Sequence, residues 1–200
     1  MTESPVGESR VPAAATWGLF VAWAIHDAEE LATMAHWSRR ARPRLERTLP
    51  WVPPTVWDRM DLSQEHVNLS IGLVGCVVAA AAADGARTNG RSVFYQATLA
   101  ALGLHAVSHV ASAVATRGYT PGMVTAPLVA APFALWARRE LRRAGVPRAA
   151  VSPAAALLFV PLAAGVHGTA AALLAARDRW RRRSRRGAGA AAAVRRPSAR

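Results

Sequence analysis

The sequence predicts an all-α fold, a multi-pass transmembrane helical bundle of about five spans, and three observations predict it. The chain has 200 residues and is 52% hydrophobic, which is high for a soluble domain. Its apolar residues gather in runs of about 17–25, and about 20 helical residues cross a hydrocarbon core. Its basic residues fall between and after those runs; the formal net charge is +13, with 25 Lys+Arg, every one of them Arg. Mean hydropathy is only slightly positive because the Arg-rich segments offset very apolar ones.

The first run covers residues 11–37 and holds Trp17, Leu19, Phe20, Val21, Trp23, Ile25 and Leu31, with His26, Asp27, Glu29 and Glu30 in its middle. The second, 67–83, is nearly uniform Ile, Leu, Val, Ala and Gly. The third, 93–116, contains His105 and His109. The fourth, 123–137, is short and carries Pro127 and Pro132, so it reads as a kinked span or a re-entrant element. The fifth, 151–176, contains Pro153, Pro161 and His167. This divides the chain into a tail over 1–10, a transmembrane domain over 11–177, and an Arg/Ala-rich tail over 178–200 that the composition predicts to be disordered beyond about Gly187.

The connections differ in character. Residues 38–65 carry Arg39, Arg40, Arg42, Arg44 and Arg47, then Pro50, Pro53 and Pro54; Trp51, Trp57 and Met60 suit the membrane interface. Residues 84–91 read as a short polar turn with Asn89-Gly90, and 138–148 as a basic loop. Tyr119-Thr120-Pro121-Gly122 reads as a tight connector between two spans. The first loop and the tail are both basic and four crossings apart. Five spans therefore place both in the cytoplasm and the N-terminus outside, with the Arg residues of 138–148 against the rule. Such placement makes the lipid bilayer the expected partner and argues against specific nucleic-acid binding, since Trp180 is the only aromatic in the basic tail. The single Cys76 excludes an intramolecular disulfide and a thiol-rich metal site. Residues 1–10 lack a basic n-region and do not read as a cleaved signal peptide.

The chemistry concentrates in His26-Asp27-Ala28-Glu29-Glu30. On a helix His26, Glu29 and Glu30 share a face, and Asp27 points about 100° away. Carboxylates at mid-membrane are costly and usually face the bundle interior with a function. His105 and His109 form a second pair at i and i+4, a spacing that aims two imidazoles at one point, as metal ligands require. His167, near Gly165 and Gly168, is a candidate on the fifth run. At 1.5 Å per residue, His26 and Glu30 lie about 21 and 27 Å into their run, His105 and His109 about 18 and 24 Å, and His167 about 24 Å. The groups thus converge on one layer if the first, third and fifth runs are parallel. The two carboxylates Glu29 and Glu30 and the imidazoles of His26, His105 and His109, with His167 as a further one, form an N/O ligand set suited to zinc, iron or manganese. The alternative is a metal-free hydrogen-bond network. His36 and Trp37 read as interfacial anchors, and His66 and Asn68 lie more than a turn from the main layer.

The HxxEE pattern at His26-Asp27-Ala28-Glu29-Glu30, the downstream His105-x-x-x-His109, and the stretch from Arg117 through Tyr119-Thr120-Pro121-Gly122 to Thr125 resemble the HXXEE-domain membrane protein family, over roughly residues 17–176. The resemblance implies an integral membrane protein with His26, Glu29 and Glu30 as signature residues, and supplies no reaction. A more distant similarity is to glutamate-type intramembrane proteases of the CAAX-processing class. Those pair two adjacent glutamates with later histidines, but their Arg after the Glu pair is replaced here by Leu31-Ala32-Thr33-Met34-Ala35.

The functional expectation is a divalent-metal site of His26, His105 and His109 with one of Glu29 and Glu30, the other glutamate activating water and His167 a further ligand. It would support hydrolysis of a lipid or peptide bond. The alternatives are a small transporter or proton relay built from the same residues, and a structural membrane protein without catalysis.

Overall fold

The computed structural model describes residues 9–149 and 159–194, and among them every regular element is helical. α1 (Ala13–Thr48) is followed by a short α2 (Pro54–Met60), α3 (Gln64–Arg87) and α4 (Val93–Ala115); a π-helical turn (Ala126–Ala130) leads into α5 (Ala131–Arg143), and α6 is Phe159–Val194. Serine caps start two of these helices: Ser63 accepts from the His66 amide and Ser92 from the Tyr95 amide, each at 3.2 Å.

Hydrogen bonds at the two ends of the bundle fix the direction of each helix. At one end Val11 N donates to Asn89 Oδ1 (2.8 Å), Tyr95 OH to Ala15 O (2.5 Å) and Ala149 N to Gln96 Oε1 (2.7 Å). At the other, Trp37 Nε1 donates to Tyr119 O (2.7 Å), Gln64 Nε2 to Leu31 O (2.9 Å) and Arg177 to Glu65 (2.6 Å). α1, α3, α4, the π turn with α5, and α6 therefore alternate in direction, an up-and-down arrangement of antiparallel neighbours.

Small residues let the helices approach closely. Ala15, Ala81, Ala126, Ala130 and Ala137 are fully buried between helices, with Leu19, Leu99 and Tyr95 filling the space beside them. Gly75 lies under Trp23, where an added Cβ would sit 2.7 Å from the indole. Gly85 lies equally tightly under the Tyr95 ring. Gly85→Ala is expected to cost about 1–3 kcal/mol by overpacking and to lower the thermal unfolding midpoint. Gly72→Ala, where a Cβ meets nothing within 4 Å, is the neutral control; equal midpoints for the two variants would contradict this packing.

α3 and α4 are long and apolar enough to cross a membrane by length and composition. Large apolar side chains point outward around the bundle: Val107 is 61% exposed, Val114 72%, Leu128 71% and Leu135 59%.

Several sequence expectations change in detail. The first helix does not stop near Trp37; it runs on through the Arg-rich stretch to Thr48, with Pro43 inside it. Arg is a good helix former, and the segment packs against α2 through Ala41, Leu45 and Trp57. Trp57 is accordingly buried, whereas Trp51 is exposed. The polar turn expected at 84–91 begins later, because α3 continues to Arg87. The fourth run is a continuous helix extending to Arg143; Pro127 lies in its π turn and Pro132 in the first turn of α5 just after it. Pro127 and Pro132 supply no N–H to an α-helical ladder, and a wider turn accommodates the interruption. α6 continues past Gly187 to Val194, where composition suggests an unstructured tail; its Ala-rich sequence favours helix. The start of the fifth run, 151–158 with Pro153, lies outside the described residues.

Candidate metal centre

Four groups meet in the middle of the bundle. One ligand atom from each of His26, Glu30, His105 and His109 lies within 4.8 Å of all the others. α1 supplies His26 and Glu30, one helical turn apart, and α4 supplies His105 and His109 in the same relation. His26 is wholly inaccessible to solvent and Glu30 is 6% exposed. The three imidazoles are mutually perpendicular or nearly so, with centroids 5.2 Å (His26–His105), 4.8 Å (His26–His109) and 4.3 Å (His105–His109) apart.

The outer hydrogen bonds decide which ring nitrogen faces inward. His109 Nδ1 lies 2.7 Å from Pro121 O. A carbonyl only accepts, so Nδ1 carries the proton and Nε2 of the neutral ring presents a lone pair. That Nε2 lies 2.9 Å from His105 Nε2 and 3.2 Å from Glu30 Oε1. His26 Nδ1 lies 2.9 Å from Thr125 Oγ1, whose own proton goes to Glu29 Oε2 at 2.6 Å. His26 therefore donates through Nδ1, and its Nε2, buried without a hydrogen-bond partner, is a second lone pair. A carboxylate and at least two imidazole lone pairs thus converge within the bundle. Such a group calls for a cation, either a proton shared among them or a metal ion.

Glu29 plays a different part. Oε1 accepts from Tyr119 OH (2.8 Å) and Val124 N (3.3 Å), and Oε2 accepts from Thr125 N (2.8 Å) as well as from the Thr125 hydroxyl. Burial, and then the neighbouring carboxylate, hold the Tyr119 phenol above its ordinary pKa, so it remains a donor. Glu29 pins residues 119–125 against α1, and that segment in turn orients His26 and His109. Carboxylate-to-hydroxyl-to-imidazole chains of this kind fix the tautomer and raise the basicity of a metal-binding histidine.

Gly122 sits where the two rings meet the loop. Its φ is +82°, and a Cβ there would lie 2.7 Å from His109 and 2.8 Å from His26. Only glycine combines that conformation with so close an approach.

Of the residues singled out from sequence, His26, Glu30, His105 and His109 come together, whereas Glu29 and His167 stand outside the group. His167 pairs with His66, Nδ1 to Nε2 at 2.9 Å, with the rings stacked 5.2 Å apart. The depth argument puts His167 at the right level but on α6, which packs on α3 rather than beside α4. Asp27 is buried, has no partner for Oδ2, and lies outside the group, consistent with its different helix face. Thr125 and Gly122 are the functional residues that sequence reasoning missed. Their signal is the Tyr119-to-Thr125 stretch, which carries part of the family resemblance but, for its chemistry, reads as a connector until its bonds to Glu29, His26 and His109 are seen.

A cavity of about 600 Å³ reaches the centre from the end bearing α2, touching His109, Thr120 and Pro121. On the opposite side lie the buried side chains of Leu19, Ala22, Leu99, Leu102, Ala126 and Ala130.

Thr125→Val removes the hydroxyl between His26 and Glu29 while keeping the shape. Metal affinity, measured by competition with a fluorescent chelator, is expected to fall about 10–100-fold, as for other residues that orient metal ligands. Unchanged affinity would mean the hydroxyl does not hold His26.

A family described as proteins of unknown function with an HXXEE motif matches residues 17–137 of the chain. No curated protein and no solved structure matches.

Proposed function

The chain belongs to the HXXEE family, and from that premise we propose that it is an integral membrane protein whose central His/Glu cluster binds a divalent metal and hydrolyses an ester or amide bond of a lipid or peptide. The observation that carries the proposal is the convergence of three imidazoles and Glu30 within 4.8 Å, with Nε2 of His26 and His109 turned inward by bonds to Thr125 and Pro121. The outward Val, Leu and Trp side chains and the apolar lengths of α3 and α4 support the membrane setting. We place the end carrying the Arg-rich part of α1 and the basic part of α6 in the cytoplasm, as the positive-inside rule asks.

His26, His105 and His109 are the ligands in this reading. Three imidazoles are the complement of an open catalytic site, as in zinc hydrolases and hydratases. Zinc, iron and manganese all suit the donor set. A metal held there supplies a Lewis acid and lowers the pKa of bound water. Because Glu29 is fully engaged by the 119–125 segment, the general base falls to Glu30. Its carboxylate takes a proton from water as oxygen attacks the carbonyl carbon and returns it to the leaving oxygen or nitrogen as the old bond breaks. Glu29 positions the loop and does not touch the reacting atoms.

The cavity reaches His109 from the α2 end, while Leu19, Ala22, Leu102, Ala126 and Ala130 are buried on the far side of the cluster; among the described residues this arrangement favours catalysis over transport, which needs a polar route to both faces. Glu30→Gln is expected to retain metal and lose at least about a hundredfold in metal-dependent cleavage of long-chain esters. Metal loss in this variant would make Glu30 a ligand instead. A metal-loaded wild type that leaves esters and amides intact would sink the hydrolase reading.

A further inference from the structure

We infer that the cavity beneath α2 binds a single-chain anionic amphiphile, its hydrocarbon along the α1–α2 wall and its polar head toward Thr120 and His109. This deepens the proposed function by naming the substrate class, and the choice of head position rests on that reading.

The cavity walls are zoned. Met34, Leu45, Leu49, Trp57, Met60 and Leu62 form an apolar side, while Ser112, Thr116, Thr120 and His109 form a polar one. The apolar side has a hydrophobic cluster of its own: Ala41, Leu45 and Trp57 are buried together, with Trp37, Leu49 and Val52 packed on them. This cluster is separate from the main core and holds α2 over the cavity. A volume of about 600 Å³ is in the range of small-molecule sites.

Two further observations specify the ligand. Thr120 is 4% exposed, and its Oγ1 is buried with no hydrogen-bond partner. A buried hydroxyl lining a cavity without a bond is an unmet contact, and the ligand's polar head satisfies it. The charged residue among the lining groups is Arg59; the other ionisable ones are His66, His109 and His167, and the described lining holds no carboxylate. The potential inside such a cavity favours an anion over a cation. A metal at the adjacent centre acts in the same direction. Acyl chains with a carboxylate or phosphate head combine these properties.

The probe is palmitate carrying a chain diazirine, photolysed with the full-length protein in detergent micelles and mapped by peptide mass spectrometry. Label is expected on residues 45–62 and 112–121. Unlabelled palmitate should compete about tenfold better than cetyltrimethylammonium at equal concentration, as for a ligand stabilised by one favourable charge. Ser112→Phe, which fills the cavity from an exposed position of α4, should reduce the label about tenfold. His105→Ala separates the two readings: it removes a proposed metal ligand and leaves the cavity, so the label should persist as metal is lost. Label confined to the outward Val107, Leu128 and Leu135, or cavity label that neither competitor displaces, would overturn the inference whether or not Ser112→Phe folds. Equal competition by the cationic amphiphile would overturn the anionic assignment.

Discussion

Gly122→Ala is expected to disable the metal centre without altering any ligand. The residue has φ +82°, a conformation that costs an L-residue about 1–2 kcal/mol. The new methyl would also meet His109 at 2.7 Å and His26 at 2.8 Å. Neither ring can move away without losing the bond that orients it, because His109 is tied to Pro121 and His26 to Thr125. Both imidazoles must turn, or the loop must lift from Glu29. In either case two inward lone pairs lose their aim at once. Metal affinity should fall by about a hundredfold or more, beyond the loss of a single orienting contact. Titration of the purified variant checks this; wild-type affinity would show that the loop does not set the geometry of the rings.

The second large effect separates the histidines from one another. His105→Ala removes one of the converging nitrogens and is expected to cost about 3–5 kcal/mol of binding, or at least roughly a hundredfold in affinity, if the free energy of the site is shared among its three histidine ligands. His26→Ala should do the same. His167→Ala should leave affinity unchanged, because His167 bonds to His66 on α3 and contributes no atom to the group. Equal losses for His105 and His167 would contradict the arrangement of α4 and α6 described above.

Much of the fold is legible in the sequence because the signals are strong and local. Long apolar runs separated by Arg and turn residues mark the helices, and the alternating direction of successive helices follows from short connections. The i, i+4 pairs His26/Glu30 and His105/His109 are equally local, and they are the pairs that meet. What sequence reasoning lacks is lateral information. Rise per residue gives depth along a helix but not which helix stands beside which, so His167 has the right depth and the wrong neighbour. The role of Glu29 is hidden for the same reason. Its partners lie about 90 residues away, in a segment whose Pro and Gly suggest only a turn. Helix ends are misplaced where a strong former meets a breaker signal, as where α1 runs through Pro43 to Thr48.

The central claim is that the three histidines hold a divalent metal beside Glu30. Elemental mass spectrometry on detergent-purified protein tests it most directly, with wild type beside His105→Ala, each as purified and after supply of zinc, iron or manganese. The account predicts one metal per wild-type chain and little in the variant. A well-folded wild type that retains no metal under any of these supplies would contradict it and leave the cluster as a proton-sharing hydrogen-bond network.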